Sequence, residues 1–339
     1  MFHSLALSLL SFLLIHPRLS STAPLPAPQI EDLRLISTES VTPLYQFPRG
    51  SWLENIAIRP NGHILVTRLD VPELWEINPF SPSTSYDAKL LYTFSNASGL
   101  TGIAEIAPDV FAVAAGVPTN PAGSFSVWKV SIDTQGNVAG TKVVSIPEAL
   151  VLNGMALLSS HKGGTILVGD HTQGLVYRVD MGNGDRSVAI HDPAMLPPGP
   201  PNIGVNGLKI QKGHLFFTNM LRGTLCKIPI NNLTGVPTGP VDVITSNIFG
   251  ADDLTLDASG TAYVTINLSN RLAVVRPDGG VEIIAGAPGS TDLPGPTSAA
   301  FGRTAGDDKT IYVVTSGARL SPINGTYVEG GKVVAVKLK

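Results

Sequence analysis

Apolar and polar residues alternate in short runs along most of the chain, and the runs come in pairs joined by turn residues. LENIAIRPNGHILVTR from Leu53, LNGMALLSSHKGGTILVGD from Leu152, GVNGLKIQKGHLFFTN from Gly204 and ADDLTLDASGTAYVTIN from Ala251 share one form. Each reads as an alternating strand, a polar or glycine-containing turn, and a second strand rich in Val, Ile, Leu, Phe or Tyr. Looser copies start at Leu100 (LTGIAEIAPDVFAVAAG) and Pro296 (PTSAAFGRTAGDDKTIYVVTS), which makes six. Asn206-Gly207, a hairpin-turn signal when seen alone, therefore falls at the start of a strand.

Superposing the copies puts Glu54, Thr101, Asn153, Asn206, Asp252 and Thr297 in one column, with spacings of 47, 52, 53, 46 and 45 residues. A third strand follows each pair (ELWEINP, SVWKVSID, GLVYRVDM, TLCKIPI, RLAVVRP, KVVAVKL), and a fourth follows in five of the six copies. PLYQF at 43–47 echoes the fourth strand LLYTF at 90–94 and is the natural completion of the sixth unit. The pattern predicts an all-β fold over residues 41–339: a six-bladed β-propeller of four-stranded antiparallel blades, closed by an N-terminal strand that completes the last blade. Sustained helical periodicity and any interdomain linker are missing from this stretch.

Composition agrees with this. Of 339 residues, 43% are apolar and 14% charged, against about 25% charged in ordinary soluble domains. A net charge of -3 without a basic run gives no footprint for nucleic acid or for an anionic membrane surface. The apolar run LALSLLSFLLI from Leu5, followed by small residues up to Ala23, reads as a secretory signal peptide over residues 1–23 and is too short to span a bilayer. It directs the chain to the secretory pathway or outside the cell. In that setting the sequons at Asn96, Asn232, Asn267 and Asn324 are expected glycosylation sites. Cys226 is the single cysteine, so no intramolecular disulfide forms, and in LCKIPI it reads as a small buried hydrophobe.

The first strand of a propeller blade lines the central channel, so the aligned column is expected to ring one channel mouth. Glu54, Asn153, Asn206 and Asp252 offer two carboxylates and two amide carbonyls, oxygen ligands suited to a hard divalent cation, Ca²⁺ first. Thr101 and Thr297 suit either strand capping or contact with a ligand. The ends of the second strands add Arg68, His171 and Asn219. His171, in GDHTQG, is either a solvated turn residue or a donor and base. Asn219 offers an amide donor. Trp52 offers an aromatic wall or packs between blades.

With these residues in place, the chain resembles the SMP-30/gluconolactonase class and the related strictosidine synthase-like propellers over residues 41–339, on repeat units such as LNGMALLSSHKGGTILVGD and ADDLTLDASGTAYVT. In that class Glu, Asn, Asn and Asp from different blades hold a divalent cation, in the order of Glu54, Asn153, Asn206 and Asp252 here. One departure is that Asn55-Ile56 follows Glu54 where the lactonases show Glu-Gly-Pro. The leader, the sequons and the whole-chain character also resemble fungal propellers of tropolone sesquiterpenoid pathways that act as hetero-Diels–Alderases. That resemblance implies an inverse-demand cycloaddition between a tropolone quinone methide and a humulene-type alkene, with hydrophobic small-molecule substrates and no organic cofactor. From their positions at the mouth, His171, Asn219 and, for water attack in a hydrolase, Asp252 are the candidate catalytic residues, and Trp52, Arg68, Thr101 and Thr297 the candidate substrate contacts. The cycloaddition needs no covalent nucleophile, and the chain has no GxSxG elbow. Two other readings are open: a metal-dependent lactonase with Asp252 assisting water attack, and a non-catalytic binding propeller with a structural ion.

Overall fold

The computed structural model describes residues 38–81 and 87–339, so the expected signal peptide lies outside the described residues. Among these, 24 strands and two single 3-10 turns, His161–Gly163 and Asn267–Ser269, account for the regular structure.

The strands fall into six four-stranded antiparallel sheets. Blade 1 is β2 (Leu53–Ile58), β3 (Ile64–Arg68), β4 (Glu73–Ile77) and β5 (Ala88–Thr93). Blade 2 is β6 (Gly99–Ala107), β7 (Val110–Gly116), β8 (Ser126–Ile132) and β9 (Val138–Ser145). Blade 3 is β10 (Leu152–Ser159), β11 (Thr165–Asp170), β12 (Leu175–Asp180) and β13 (Arg186–His191). Blade 4 is β14 (Val205–Gln211), β15 (His214–Asn219), β16 (Thr224–Pro229) and β17 (Asp242–Thr245). Blade 5 is β18 (Ala251–Leu256), β19 (Ala262–Ile266), β20 (Arg271–Val275) and β21 (Val281–Gly286). Blade 6 is β22 (Pro296–Phe301), β23 (Thr310–Thr315) and β24 (Lys332–Lys337), with β1 (Ser40–Gln46) as its outer strand. β1 runs antiparallel to β24, from Ser40 opposite Lys337 to Gln46 opposite Lys332. The closure is the one the PLYQF echo predicts, and it covers the edge of β24 and gives blade 6 the same four strands as the others.

Alternation explains why the blades stack. Each sheet buries both faces, and six apolar clusters form, each shared by two adjacent blades. β1 belongs to this scheme: Leu44 and Phe47 pack with Leu53, Ile64 and Val314 at the junction of blades 6 and 1.

The inner strands carry the feature that builds the site. In every blade the pairing of first and second strands is interrupted at the ring position, between Leu53 and Asn55, Leu100 and Ile103, Leu152 and Met155, Val205 and Leu208, Ala251 and Leu254, and Pro296 and Ser298. A bulge bends the strand and re-aims the side chain beside it. Threonines on the second strands take up the backbone groups freed in this way. Thr218 Oγ1 accepts from Gly207 N and donates to Asp252 O in the next blade, and Thr67 and Thr265 do the same for blades 1 and 5. Gly154 permits the close approach of blades 3 and 4, since a Cβ there would meet Asn206 O at 2.0 Å.

Candidate functional site

The bulged positions bring the aligned residues together as buried polar groups: Glu54, Thr101, Asn153, Asn206, Asp252 and Thr297 are all shielded from solvent. Four of them are linked as two amide–carboxylate pairs across blades. Asn153 Nδ2 donates to Glu54 Oε1 at 2.9 Å, and Asn206 Nδ2 donates to Asp252 Oδ1 at 2.7 Å. The second oxygen of each acid is also held, Glu54 Oε2 by Trp52 Nε1 at 2.6 Å and Asp252 Oδ2 by Asn267 Nδ2 at 2.9 Å.

Despite these donors, burial dominates the electrostatics. It pushes the Glu54 carboxyl up to about 7; hydrogen bonds from Asn153 and Trp52 work against the rise, and the charge of Asp253 adds to it. Asp252 is held well above the ordinary carboxylate range, by burial first and then by the charges of Glu54 and Asp253. Beneath the ring, Asp253 takes Ser298 Oγ at 2.6 Å and Lys209 Nζ at 3.0 Å, while Ser298 also bonds Asn55. These groups link the inner strands of blades 4, 5, 6 and 1. The cavity of about 360 Å³ at the far ends of the inner strands, lined in part by Ala57, Ala104, Ala156 and Lys209, holds no ring residue.

The donor set suits a hard cation on two structural grounds. Two desolvated carboxylates would gain from a positive charge between them, and Asn267 Oδ1 and Thr101 Oγ1 are buried oxygens with no hydrogen-bond partner. Among the described residues no group of three His, Cys, Asp or Glu side chains forms a metal cluster. The ring's oxygen ligands would therefore have to include the amides.

Above the ring, a cavity of about 510 Å³ is lined by Trp52, Leu69 and Asp70 of blade 1, Ser98, Pro118 and Thr119 of blade 2, and Arg319. Trp52 joins it to the ring through its bond to Glu54. The indole is fixed from behind, because Asp70 accepts the Trp52 backbone N–H at 2.9 Å and Arg68 Nη2 holds Asp70 at 2.5 Å.

Three expected contacts take other roles. Arg68 bonds Asp70 and Glu73 and lies 5.3 Å from the Phe47 ring centroid, so its guanidinium is an internal brace and not a substrate donor. Asn219 is fully buried; its amide donates to Ala194 O and Leu196 O, and its carbonyl accepts from Arg222 N, so it fastens the loop before β14 and cannot serve as the amide donor. Thr297 Oγ1 bridges Leu53 O at 2.8 Å and Val314 O at 3.1 Å, the strand-capping role.

His171 lies one blade further round, outside the cavity lining. Its Nδ1 is closed off from solvent without a partner, and burial lowers the ring to about 4, opposed by Asp170. His171 is a half-buried turn residue whose imidazole keeps one shielded, unengaged nitrogen. Asn267 corrects the glycosylation expectation: it is 0% exposed and its amide nitrogen is committed to Asp252. Asn96, Asn232 and Asn324 are exposed. Cys226 is buried, and burial raises its thiol to about 11.

Sequence reasoning missed Asn267 and Arg319. The sequon drew attention away from Asn267, which stands just after β19, where its chemistry is visible only once it meets Asp252. Arg319 belongs to a long connection outside the repeat and so has no aligned column.

The protein "Putative hetero-Diels-Alderase" of Phoma sp is 28% identical to this chain over 308 residues, spanning 80% of this chain and 85% of its own length. The "Putative hetero-Diels-Alderase asR5" of Sarocladium schorii is 25% identical over 312 residues, spanning 80% and 76%. No family model matches. Among solved structures, the calcium-binding protein regucalcin of Agrobacterium tumefaciens superposes with a TM-score of 0.61 at 17% identity, over 90% of this chain and 97% of its own. Virginiamycin B lyase of Staphylococcus aureus gives 0.57 at 12%, over 88% and 99%. The fold is thus shared with regucalcin-like propellers, and at these identities the likeness extends to the fold alone.

Proposed function

We propose that this chain is a hetero-Diels–Alderase that brings an electron-poor heterodiene and an alkene together in the cavity above the polar ring. The observation that carries this reading is the cavity itself, which sets the apolar surfaces of Trp52, Leu69 and Pro118 beside the polar groups of Ser98, Thr119 and Arg319. The similarity to two proteins named for this activity, across most of each chain, supports it. The substrate pair we propose is a tropolone quinone methide and a humulene-type alkene.

In such a reaction the methide carbon bonds one alkene carbon, the carbonyl oxygen bonds the other, and the remaining π electrons shift within the ring system. No proton moves and no nucleophile is consumed. The protein's tasks are to hold the partners face to face, to exclude water, and to donate hydrogen bonds to the oxygen as its charge changes. Orientation of this kind is worth on the order of 7–11 kcal/mol where near-attack geometry is enforced, and a well-placed donor adds about 3–4 kcal/mol.

Glu54, Asn153, Asn206 and Asp252, with Asn267 behind them, would hold a divalent cation, Ca²⁺ first. When bound it supplies positive charge that neutralises the two acids and fixes the floor of the cavity. Asp252 has both oxygens occupied by amides, which argues for an anchor in the ring and against the free base a lactonase needs.

The deciding experiment generates the quinone methide in the presence of a humulene-type alkene, with and without protein, and compares rate and stereoisomer ratio. Identical rates and ratios, alongside rapid opening of simple lactones, would transfer the assignment to a metal-dependent hydrolase.

A further inference from the structure

Arg319 stands on the connection between β23 and β24, which is much longer than the equivalent connection from Arg68 to Glu73 in blade 1. The backbone just before it is unusual. Gly317 and Ala318 both have positive φ, 72° and 62°, and Ala318 is completely buried. A left-handed alanine is disfavoured by the contact of its Cβ with the backbone. It is held by Ala318 N donating to Pro294 O at 2.9 Å and by Glu329 N donating to Gly317 O at 3.1 Å. Strain of this kind persists where the surroundings impose it, and here it turns the next residue toward the channel mouth.

The guanidinium is anchored at one corner only. Nη1 donates to Gly50 O at 2.5 Å, and Cζ lies 5.7 Å from the Trp52 ring centroid. No carboxylate pairs with it among the described residues, whereas the one acid in the same lining, Asp70, is already neutralised by Arg68. The cavity above the ring therefore carries at its exposed rim one positive charge that no carboxylate compensates, beside the apolar surfaces of Trp52, Leu69 and Pro118 and the hydroxyls of Ser98 and Thr119. A planar guanidinium fork with unengaged N–H groups matches two neighbouring oxygens better than a single acceptor.

We infer that Arg319 is the substrate-positioning residue of this cavity, gripping the oxygen-bearing edge of a flat ring beside Trp52 and so deciding which partner enters as the heterodiene and which way it faces. The inference rests on the reading of the cavity as the substrate site. It assigns the alkene partner to the apolar walls, where Arg319 contributes nothing.

The test uses the full chain and tropolone as a stable probe, a flat ring with two adjacent oxygens, with cycloheptatriene as the oxygen-free control. Binding is followed by tryptophan fluorescence for the wild type, Arg319→Ala and Arg319→Lys. Loss of a charge-assisted hydrogen bond predicts a dissociation constant about tenfold or more higher in Arg319→Ala. Arg319→Lys should recover only part of the affinity, because it restores the charge without the fork, and cycloheptatriene should bind all three alike. In the cycloaddition, KM for the heterodiene should rise in Arg319→Ala while KM for the alkene stays. Equal tropolone affinity in wild type and Arg319→Ala overturns the inference, as does failure of the wild type to bind tropolone. Should Arg319→Ala melt early, the comparison of wild type with a normally melting Arg319→Lys decides. If the wild type accelerates no cycloaddition yet tropolone binding falls in Arg319→Ala, the proposed reaction fails and the role of Arg319 stands.

Discussion

Asn206 and Asp252, 46 residues apart and on neighbouring blades, are joined by a hydrogen bond of 2.7 Å from Nδ2 to Oδ1. Asn153 and Glu54 form the same pair at 2.9 Å between blades 3 and 1. Each acid is thus provided with donors and yet remains reluctant to ionise, because desolvation outweighs the hydrogen bonds. A cation in the ring, as proposed, would relieve that cost.

That arrangement predicts a pH-dependent response to Ca²⁺. The Glu54 pKa of about 7 lies above its ordinary 4.5. Stability from the protonated acid is therefore present below pH 4.5 and lost as pH rises toward 7. A bound cation replaces the proton, so the melting temperature gained from Ca²⁺ over a chelator should grow across this window. Asp252→Asn should shrink the gain. Melting curves that Ca²⁺ leaves unmoved at every pH would remove the ion from the site.

His171 shifts in the opposite sense. Its folded value of about 4 lies below 6.5, so the unfolded chain binds the proton first as the solution is acidified. The stability that depends on a neutral ring is present above pH 6.5 and lost as pH falls toward 4. Urea titrations across this range should show the acid limb flattened in His171→Gln.

Asn267 should carry no glycan when the chain passes through a secretory host, and glycopeptide mass spectrometry will show this. Asn267→Ala should leave the glycan mass unchanged but cost about 1–3 kcal/mol in denaturant, because Asp252 Oδ2 loses its partner in a buried setting.

Removing residues through Phe47 should abolish the cooperative unfolding transition. The deletion exposes the edge of β24 and takes Leu44 and Phe47 out of the junction of blades 6 and 1, each worth about 1.5–3 kcal/mol when buried. A truncated protein that melts like the full chain would show that β1 is dispensable.

Much of this architecture is legible along the chain, because a propeller repeats one supersecondary unit. The alternation in LENIAIRP and ADDLTLD, the spacing of the ring column and the echo of LLYTF in PLYQF depend only on local period and on the need to bury both faces of every blade. The ring could be aligned for the same reason: Glu54, Asn153, Asn206 and Asp252 occupy one bulged position in four blades. Only the tertiary structure decided what each polar side chain faces. Arg68, Asn219 and Thr297 stand in repeat positions that looked open to a ligand, yet Asp70, the loop before β14 and the Leu53 carbonyl claim them. Arg319 comes from a connection that no period governs, and Asn267, which ends the repeat unit ADDLTLDASGTAYVTIN, shows its role only where its amide meets Asp252 of its own blade. Repetition reveals where strands go, whereas a hydrogen-bond partner or an unpaired charge depends on which distant residue arrives alongside.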